Sequence, residues 1–338
     1  YKVLKTYLHI SKNYHKEISY NQLSTKVSSK TFKTMKKIYW KSEIKNFGDE
    51  LNLDFYEKAL GLEVSKCRFS ESILGIGSIL HFDTSKHSKI HVLGSGSGSE
   101  KISLKNKDRY KFWFVRGPLT AQSLGIEKKL SISDPAIITP QVYGHQDHDM
   151  KKNGTLFIPH YFSAMNADWT KVCLYAGMNY LSPTSNLEKI CRDIQSTKLV
   201  ITESLHGAIL ADAFRVPWIP VAQPPVGRSP FKWMDWLSTI NITYKPSNLP
   251  WLSTKKLSTS LKAMNFLKSN FAKRGIGPDR WVNKNYHTHG LKEIEYQANL
   301  LREIKSGAQQ NLSDDKKLDS LQSQMMERLD SFRSYLIS

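Results

Sequence analysis

The chain is short of cysteine and of acid. Its 338 residues include three cysteines, Cys67, Cys173 and Cys191. No two stand in CxxC spacing and an odd number cannot pair fully, so neither a disulfide framework nor a structural zinc site is expected. A reducing compartment suits such usage. Asp and Glu number 30 against 49 Lys and Arg, a formal net charge of +19. The imbalance favours an anionic partner such as nucleic acid, an anionic membrane surface or a phosphorylated small molecule; a Lys-rich surface without a dedicated partner is the other reading. No apolar run approaches the roughly 20 residues that span a bilayer. The opening YKVLKTYLHISKNYHK has no apolar signal-peptide core. A cytoplasmic location is therefore expected, with any membrane contact peripheral, at the inner face, through basic surface. Also missing are HExxH, the GxxxxGK(S/T) phosphate loop and the paired carboxylates of a glycosidase. The basic residues are not interleaved with aromatics as in an RNA-binding motif, so nucleic acid is not the expected partner.

What is present is material for folded α/β domains. Hydrophobic residues make up 40% and charged residues 23%, and the length suits two domains better than one. Residues 1–35 read as a basic extension with weak structure. From residue 36 to 145, apolar runs ending in Gly or polar turns alternate with helical periodicity. KKIYW, SILGIGSIL, KIHVL and YKFWFV carry the apolar segments, Asn46–Asp49 reads as a turn, and a helix starts at Pro118. YGHQDHDMKKNG reads as a linker. Residues 150–250 repeat the pattern: TLFIPHYF, KLVITES and VPWIPVA as strands, KVCLYAG as a further strand, SNLEKICRDIQST as an amphipathic helix capped by Ser185, and LHGAILADAFR as a helix. The expected fold class is α/β: two Rossmann-like domains with parallel sheets in a GT-B-like arrangement, plus C-terminal helices from 251 to 338. In the last helix, Leu318, Leu321, Met325, Leu329, Phe332 and Leu336 recur at steps of three and four, after Ser313 as N-cap. That seam serves either a helix packed back on its domain or a homodimer contact.

Ligands in open parallel sheets bind beyond the carboxyl ends of the strands, which selects the candidate residues. Gly94, Ser95 and Gly96 follow KIHVL and read equally as a flexible loop or a phosphate cradle. Arg116 follows an aromatic strand, where a guanidinium can take a phosphate or carboxylate, or merely lie over its own strand. His206 sits in the first turn of a helix just past a buried strand, suited to proton transfer with an anionic ligand or to a local hydrogen bond; Glu203 and Ser204 precede it and can orient the ring. Arg228 and Lys232 lie together in GRSPFKW, and Asn46, Asp49 and His160 fall in loops on the same side. His145, Asp147, His148 and Asp149 look like a metal cluster but fall in the linker, where a solvated loop is favoured.

In this order, NFGDEL, LGSGSGS, VRGPLTAQSLG, SDPAIITP, FIPHYF and KLVITESLHGAILADAFRVPWIPV resemble the polysaccharide pyruvyl transferases over residues 38–240. The resemblance implies a GT-B-like fold and an enzyme without metal or cofactor, using phosphoenolpyruvate as donor substrate. Its product is a pyruvate ketal on a hexose of a bacterial surface polysaccharide (exopolysaccharide or capsule) or its lipid-linked precursor. It maps the donor-binding Arg onto Arg116, the general acid onto His206 and the cleft Lys onto Lys232. Many members carry Arg two residues before the His, where this chain has Ser204; the second donor-anchoring cation is then expected from Arg228. Asp49 is expected to orient or deprotonate a sugar hydroxyl. The competing reading is a GT-B glycosyltransferase using a nucleotide sugar.

Overall fold

A computed structural model describes residues 35–39, 45–64, 71–82, 84, 87–144, 152–223, 230–252 and 289–338. The expected basic extension, apart from Met35, the HQDHD cluster, Arg228 and the segment 253–288 lie outside the described residues. Met35 is buried in the core.

The first half is a four-stranded parallel sheet in the order β1-β2-β3-β4, with β1 at Lys36–Ile38, β2 at Ser72–Leu74, β3 at Ile90–Leu93 and β4 at Tyr110–Phe114. β2 and β3 are buried at every residue, as a strand covered on both faces requires. Helix α1 (Phe47–Glu50) begins where a turn was expected. The Asn46 side chain takes the Gly48 N–H and so converts the turn into a helix start. α2 (Phe55–Leu60) stops at Gly61 in the left-handed region, φ 60°. α3 (Pro118–Leu124) begins at its proline, as the sequence indicated. A 3₁₀ turn at Pro135–Ile138 leads into α4 (Thr139–Tyr143).

The second half is a five-stranded parallel sheet in the order β6-β5-β7-β8-β9: β5 at Thr155–Ile158, β6 at Asn179–Tyr180, β7 at Leu199–Thr202, β8 at Trp218–Ala222 and β9 at Ser247–Asn248. The chain leaves β5 towards one edge and returns on its other side with β7, so the order reverses between these two strands. Such a reversal opens a crevice at the strand ends. α5 (Tyr161–Asn166) follows β5, so the tail of the expected strand TLFIPHYF is helical.

KVCLYAG is not a strand but most of α6 (Trp169–Ala176). Trp169, Val172, Cys173 and Ala176 fall on one buried face at helical spacing, Asp168 caps the start, and Gly177 closes the end at φ 66°. α7 (Leu187–Gln195) is capped by Asn186, whose side chain accepts the Lys189 N–H at 2.9 Å, rather than by Ser185. α8 (Leu205–Ala213) and α9 (Pro230–Leu237) complete the layer.

Two C-terminal helices close the molecule in opposite directions. α10 (Leu291–Gly307) packs on α6 in the second half. α11 (Asp315–Ile337), capped by Asp314 and not Ser313, returns to the first sheet. Its seam of Leu318, Leu321, Met325, Leu329, Phe332 and Leu336 is buried within this chain, so the face suggested for a homodimer is already occupied. Trp113 of β4 meets Phe332 edge-on with ring centroids 5.3 Å apart. The Tyr335 hydroxyl bonds to Glu71, and Lys89 donates to Tyr335 at 2.7 Å. Ser313, displaced from the cap, donates its N–H to buried Asp212 at 3.0 Å, while Trp218 Nε1 donates to the same carboxylate at 2.9 Å. Phe332→Ala should cost about 3–5 kcal/mol, read as a lower urea midpoint; a change below about 1 kcal/mol would mean that α11 is not integral to the first sheet.

Candidate active site

A cavity of about 290 Å³ lies where the carboxyl ends of the strands in both sheets converge. After β1 come Asn46 and Asp49; after β2, Gly77 and Ser78; after β4, Arg116. The second half supplies His160 after β5, Ser204 and His206 after β7, and Lys232 from α9. His160 and His206 thus flank the reversal between β5 and β7. Ser78, His81, Phe82 and Tyr161 also line the cavity and had not been singled out from the sequence. Ser78 is legible afterwards, since it closes the run LGIGS that leads out of β2.

Arg116 is fully buried and structurally engaged. Its Nε–H donates to Asp235 at 3.0 Å, Nη1 to Ser78 Oγ at 2.7 Å and Nη2 to the Ser97 carbonyl at 2.6 Å. A guanidinium carries five N–H groups, so two remain for the cavity. Asp235 is a single acid inside the apolar helix PFKWMDWL. It also accepts from the Thr120 N–H at 2.9 Å and the Thr120 hydroxyl at 2.6 Å. The pair therefore joins the first half to the second with both side chains buried.

The Gly/Ser loop does not cradle an anion. The N–H of Gly94 goes to the Phe114 carbonyl, that of Gly96 to the Gly77 carbonyl at 2.9 Å, and that of Ser97 to the Thr120 hydroxyl; Ser95 Oγ donates to Gly77. None of Gly94, Ser95 and Gly96 lines the cavity. The loop makes room for Arg116 instead: a Cβ at Gly96 would fall 2.2 Å from the guanidinium carbon. Gly94, at φ 88°, lies against Pro135.

Glu203 and Ser204 do not orient the His206 ring. Buried Glu203 accepts the His160 N–H at 2.9 Å, and Ser204 caps α8 by accepting the Gly207 N–H at 3.3 Å. The His206 ring lies instead over Gly48, where a Cβ would meet Nδ1 at 2.0 Å. Its Nε2 lies 3.7 Å from Asp134 Oδ2. Asp134 belongs to SDPAIITP but was given no role from sequence.

Burial governs the proton chemistry. The Asp49 carboxyl is pushed up to about 6, chiefly by burial, against the opposing pull of the His206 charge and the 3.0 Å bond from Asn46. Burial raises Glu203 to about 7. It pushes His160 down to about 3, with the Lys232 charge adding to the effect, which leaves a neutral ring whose Nδ1 accepts from the Phe162 N–H at 3.3 Å. Lys232 is held below the ordinary lysine range by burial and then by the Arg116 charge, with Asp49 and Glu203 opposing. Among the described residues, no group of three or more His, Cys, Asp or Glu could hold a metal ion, and no helix is long and apolar enough to cross a membrane.

The family model of polysaccharide pyruvyl transferase matches residues 7–224. The chain belongs to this family. The match begins at residue 7, inside the segment expected to stand apart as an extension. The succinoglycan biosynthesis protein ExoV of Rhizobium meliloti (strain 1021) is 35% identical to this chain over 253 residues, covering 72% of this chain and 77% of that protein. Among solved structures, Arabidopsis thaliana UGT89C1 complexed with quercetin overlaps with TM-score 0.24 and 12% identity, over 76% of this chain and 66% of that one. The same plant protein complexed with UDP-L-rhamnose gives 0.24 and 11%, over 81% and 70%. Overlap that low decides nothing about fold or ligand.

Asp235→Ala should lower unfolding stability by about 3–5 kcal/mol by stranding a buried cation. In a urea double-mutant cycle, Arg116→Ala and Asp235→Ala should be strongly non-additive; additive effects would mean the pair is not coupled. For Glu203, the native state holds its proton between pH 4.5 and about 7, where the unfolded chain has lost it. Its contribution is therefore full below pH 4.5 and lost as pH rises through 7. Glu203→Gln, which keeps an acceptor for His160, should gain stability relative to wild type across that window. Parallel stability–pH curves would contradict the raised value.

Proposed function

We propose that the chain transfers pyruvate from phosphoenolpyruvate onto a hexose of a bacterial surface polysaccharide, or of its lipid-linked precursor, to form a cyclic ketal. The observation that carries this is the single cavity in which Arg116 and Lys232 stand with His206 and Asp49. Pyruvyl transfer needs two things there: cationic groups for a donor bearing a carboxylate and a phosphate, and proton carriers that give a proton to the methylene carbon and take one from a hydroxyl. The relative's role in succinoglycan biosynthesis supports a polysaccharide acceptor.

In this mechanism His206 gives a proton to the methylene carbon, which becomes the methyl group. The adjacent carbon takes on positive character and is attacked by one sugar hydroxyl, whose proton passes to Asp49. Phosphate departs with the C–O electron pair, and a second hydroxyl closes the ring, its proton leaving with phosphate or solvent. A carboxyl that titrates at about 6 changes state near neutral pH, as a proton acceptor should. The donor's negative charge would offset the repulsion between Arg116 and Lys232 and favour the Lys232 ammonium. Electrostatic stabilisation of the leaving phosphate then falls to Lys232 and the two remaining Arg116 N–H groups.

The net charge of +19 suits a lipid-linked acceptor at an anionic membrane face. The buried role of Arg116 makes Lys232 the better probe of donor binding, since Arg116→Ala would damage the fold as well. Phosphoenolpyruvate should raise the wild-type melting temperature and do so much less in Lys232→Ala, while UDP and UDP-sugars should have no effect. His206→Ala should slow phosphate release in the presence of acceptor by about 10²–10⁴-fold. Stabilisation by UDP alone, or a near-wild-type rate in His206→Ala, would sink the reading.

A further inference from the structure

Asp134 takes no part in the steps above, yet its position beside His206 is hard to explain otherwise. It is fully buried at the start of the 135–138 turn, where Oδ1 accepts the Ala136 N–H at 3.1 Å. Its Oδ2 has no hydrogen-bond partner, and neither does His206 Nε2; these two buried atoms face each other at 3.7 Å. Leaving both unpaired is costly, and a movement of roughly 0.7 Å would bring them into hydrogen-bond range. Catalytic hydrogen bonds are often long before substrate arrives and tighten afterwards. On the other flank stands Gly48, where a Cβ would fall 2.0 Å from Nδ1, so the glycine keeps a side chain off that nitrogen. The imidazole is gripped between two elements of the first half although it is carried by the second. The acidic groups that face it are Asp134 from the turn and Asp49 from α1.

We propose that Asp134 is a positioning residue for His206. It accepts Nε2–H, fixes the proton on that nitrogen, and leaves Nδ1 as the atom that exchanges a proton with substrate. The inference rests on the reading of His206 as the proton donor. In the donor step the Nδ1–H bond breaks, a C–H bond forms at the methylene carbon, and the N–H electron pair remains on Nδ1. The ring is left neutral with its proton on Nε2, still facing Asp134, which does not take the proton itself.

The test is Asp134→Asn. Asparagine keeps the cap, because its Oδ1 can still accept from Ala136. Its amide then replaces Oδ2 and points a donor at His206 Nε2, which reverses the tautomer. Nitrogen-15 spectra of histidine-labelled protein, with the His206 signal assigned by its loss in His206→Gln, should show Nε2–H in wild type and Nδ1–H in Asp134→Asn. Asp134→Ser, which also caps, should lose the preference without reversing it. In the phosphate-release assay, Asp134→Asn should lower kcat by about 10²–10⁴-fold while KM for phosphoenolpyruvate stays within about threefold. An unchanged tautomer, or an unchanged kcat, overturns the proposal. If wild type does not turn over phosphoenolpyruvate, the donor reading falls, and the tautomer comparison still decides whether Asp134 sets the His206 proton.

Discussion

The rest of the molecule depends on the buried ion pair between Arg116 and Asp235. Taking two charges out of water is expensive, and the expense is offset only when every donor and acceptor around them is placed. Here Thr120, Ser78 and the Ser97 carbonyl complete the set. Gly96 and Gly117 are small for the same reason, since a Cβ at Gly117 would fall 2.2 Å from the Asp235 carbonyl oxygen. One network thus fixes the Gly/Ser loop, the start of α3 and the position of α9. Because α9 also carries Lys232, the cation facing the cavity is positioned by the cation buried beneath it.

Much of the architecture was legible in the sequence because it rests on local physics. Buried parallel strands appear as short apolar runs, Pro118 starts a helix, and His206 follows a strand closely enough to face the ligand side. The misread elements are those where a side chain overrides composition. The apolar run of α6 has the length of a strand, and only its cap at Asp168 and the spacing of its buried face mark it as a helix. Asn46 turns an expected loop into a helix start, and Asn186 and Asp314 cap where a neighbouring serine looked equally able.

The site was legible as a set of residues rather than as a set of roles. Arg116, His206, Lys232, Asp49 and His160 meet in one cavity because each follows a strand. What Arg116 and Glu203 actually touch depends on partners far away in sequence, Asp235 and His160. Asp134 was hidden for the same reason: its relevance lies in a helix of the other half. Glycines after strands suggested a phosphate cradle, but here the freedom of Gly96 is spent on a guanidinium.

The return of α11 to the first sheet also bears on how the molecule is made. Tyr335 and Glu71 are hydrogen-bonded across 264 residues of chain. At about 5–20 residues per second on the ribosome, the first sheet emerges tens of seconds before the helix that covers it. Until then Trp113 lacks the Phe332 and Tyr335 rings that pack against it. The turns of α11 that carry Phe332 and Tyr335 therefore complete the first half only after the second has been made.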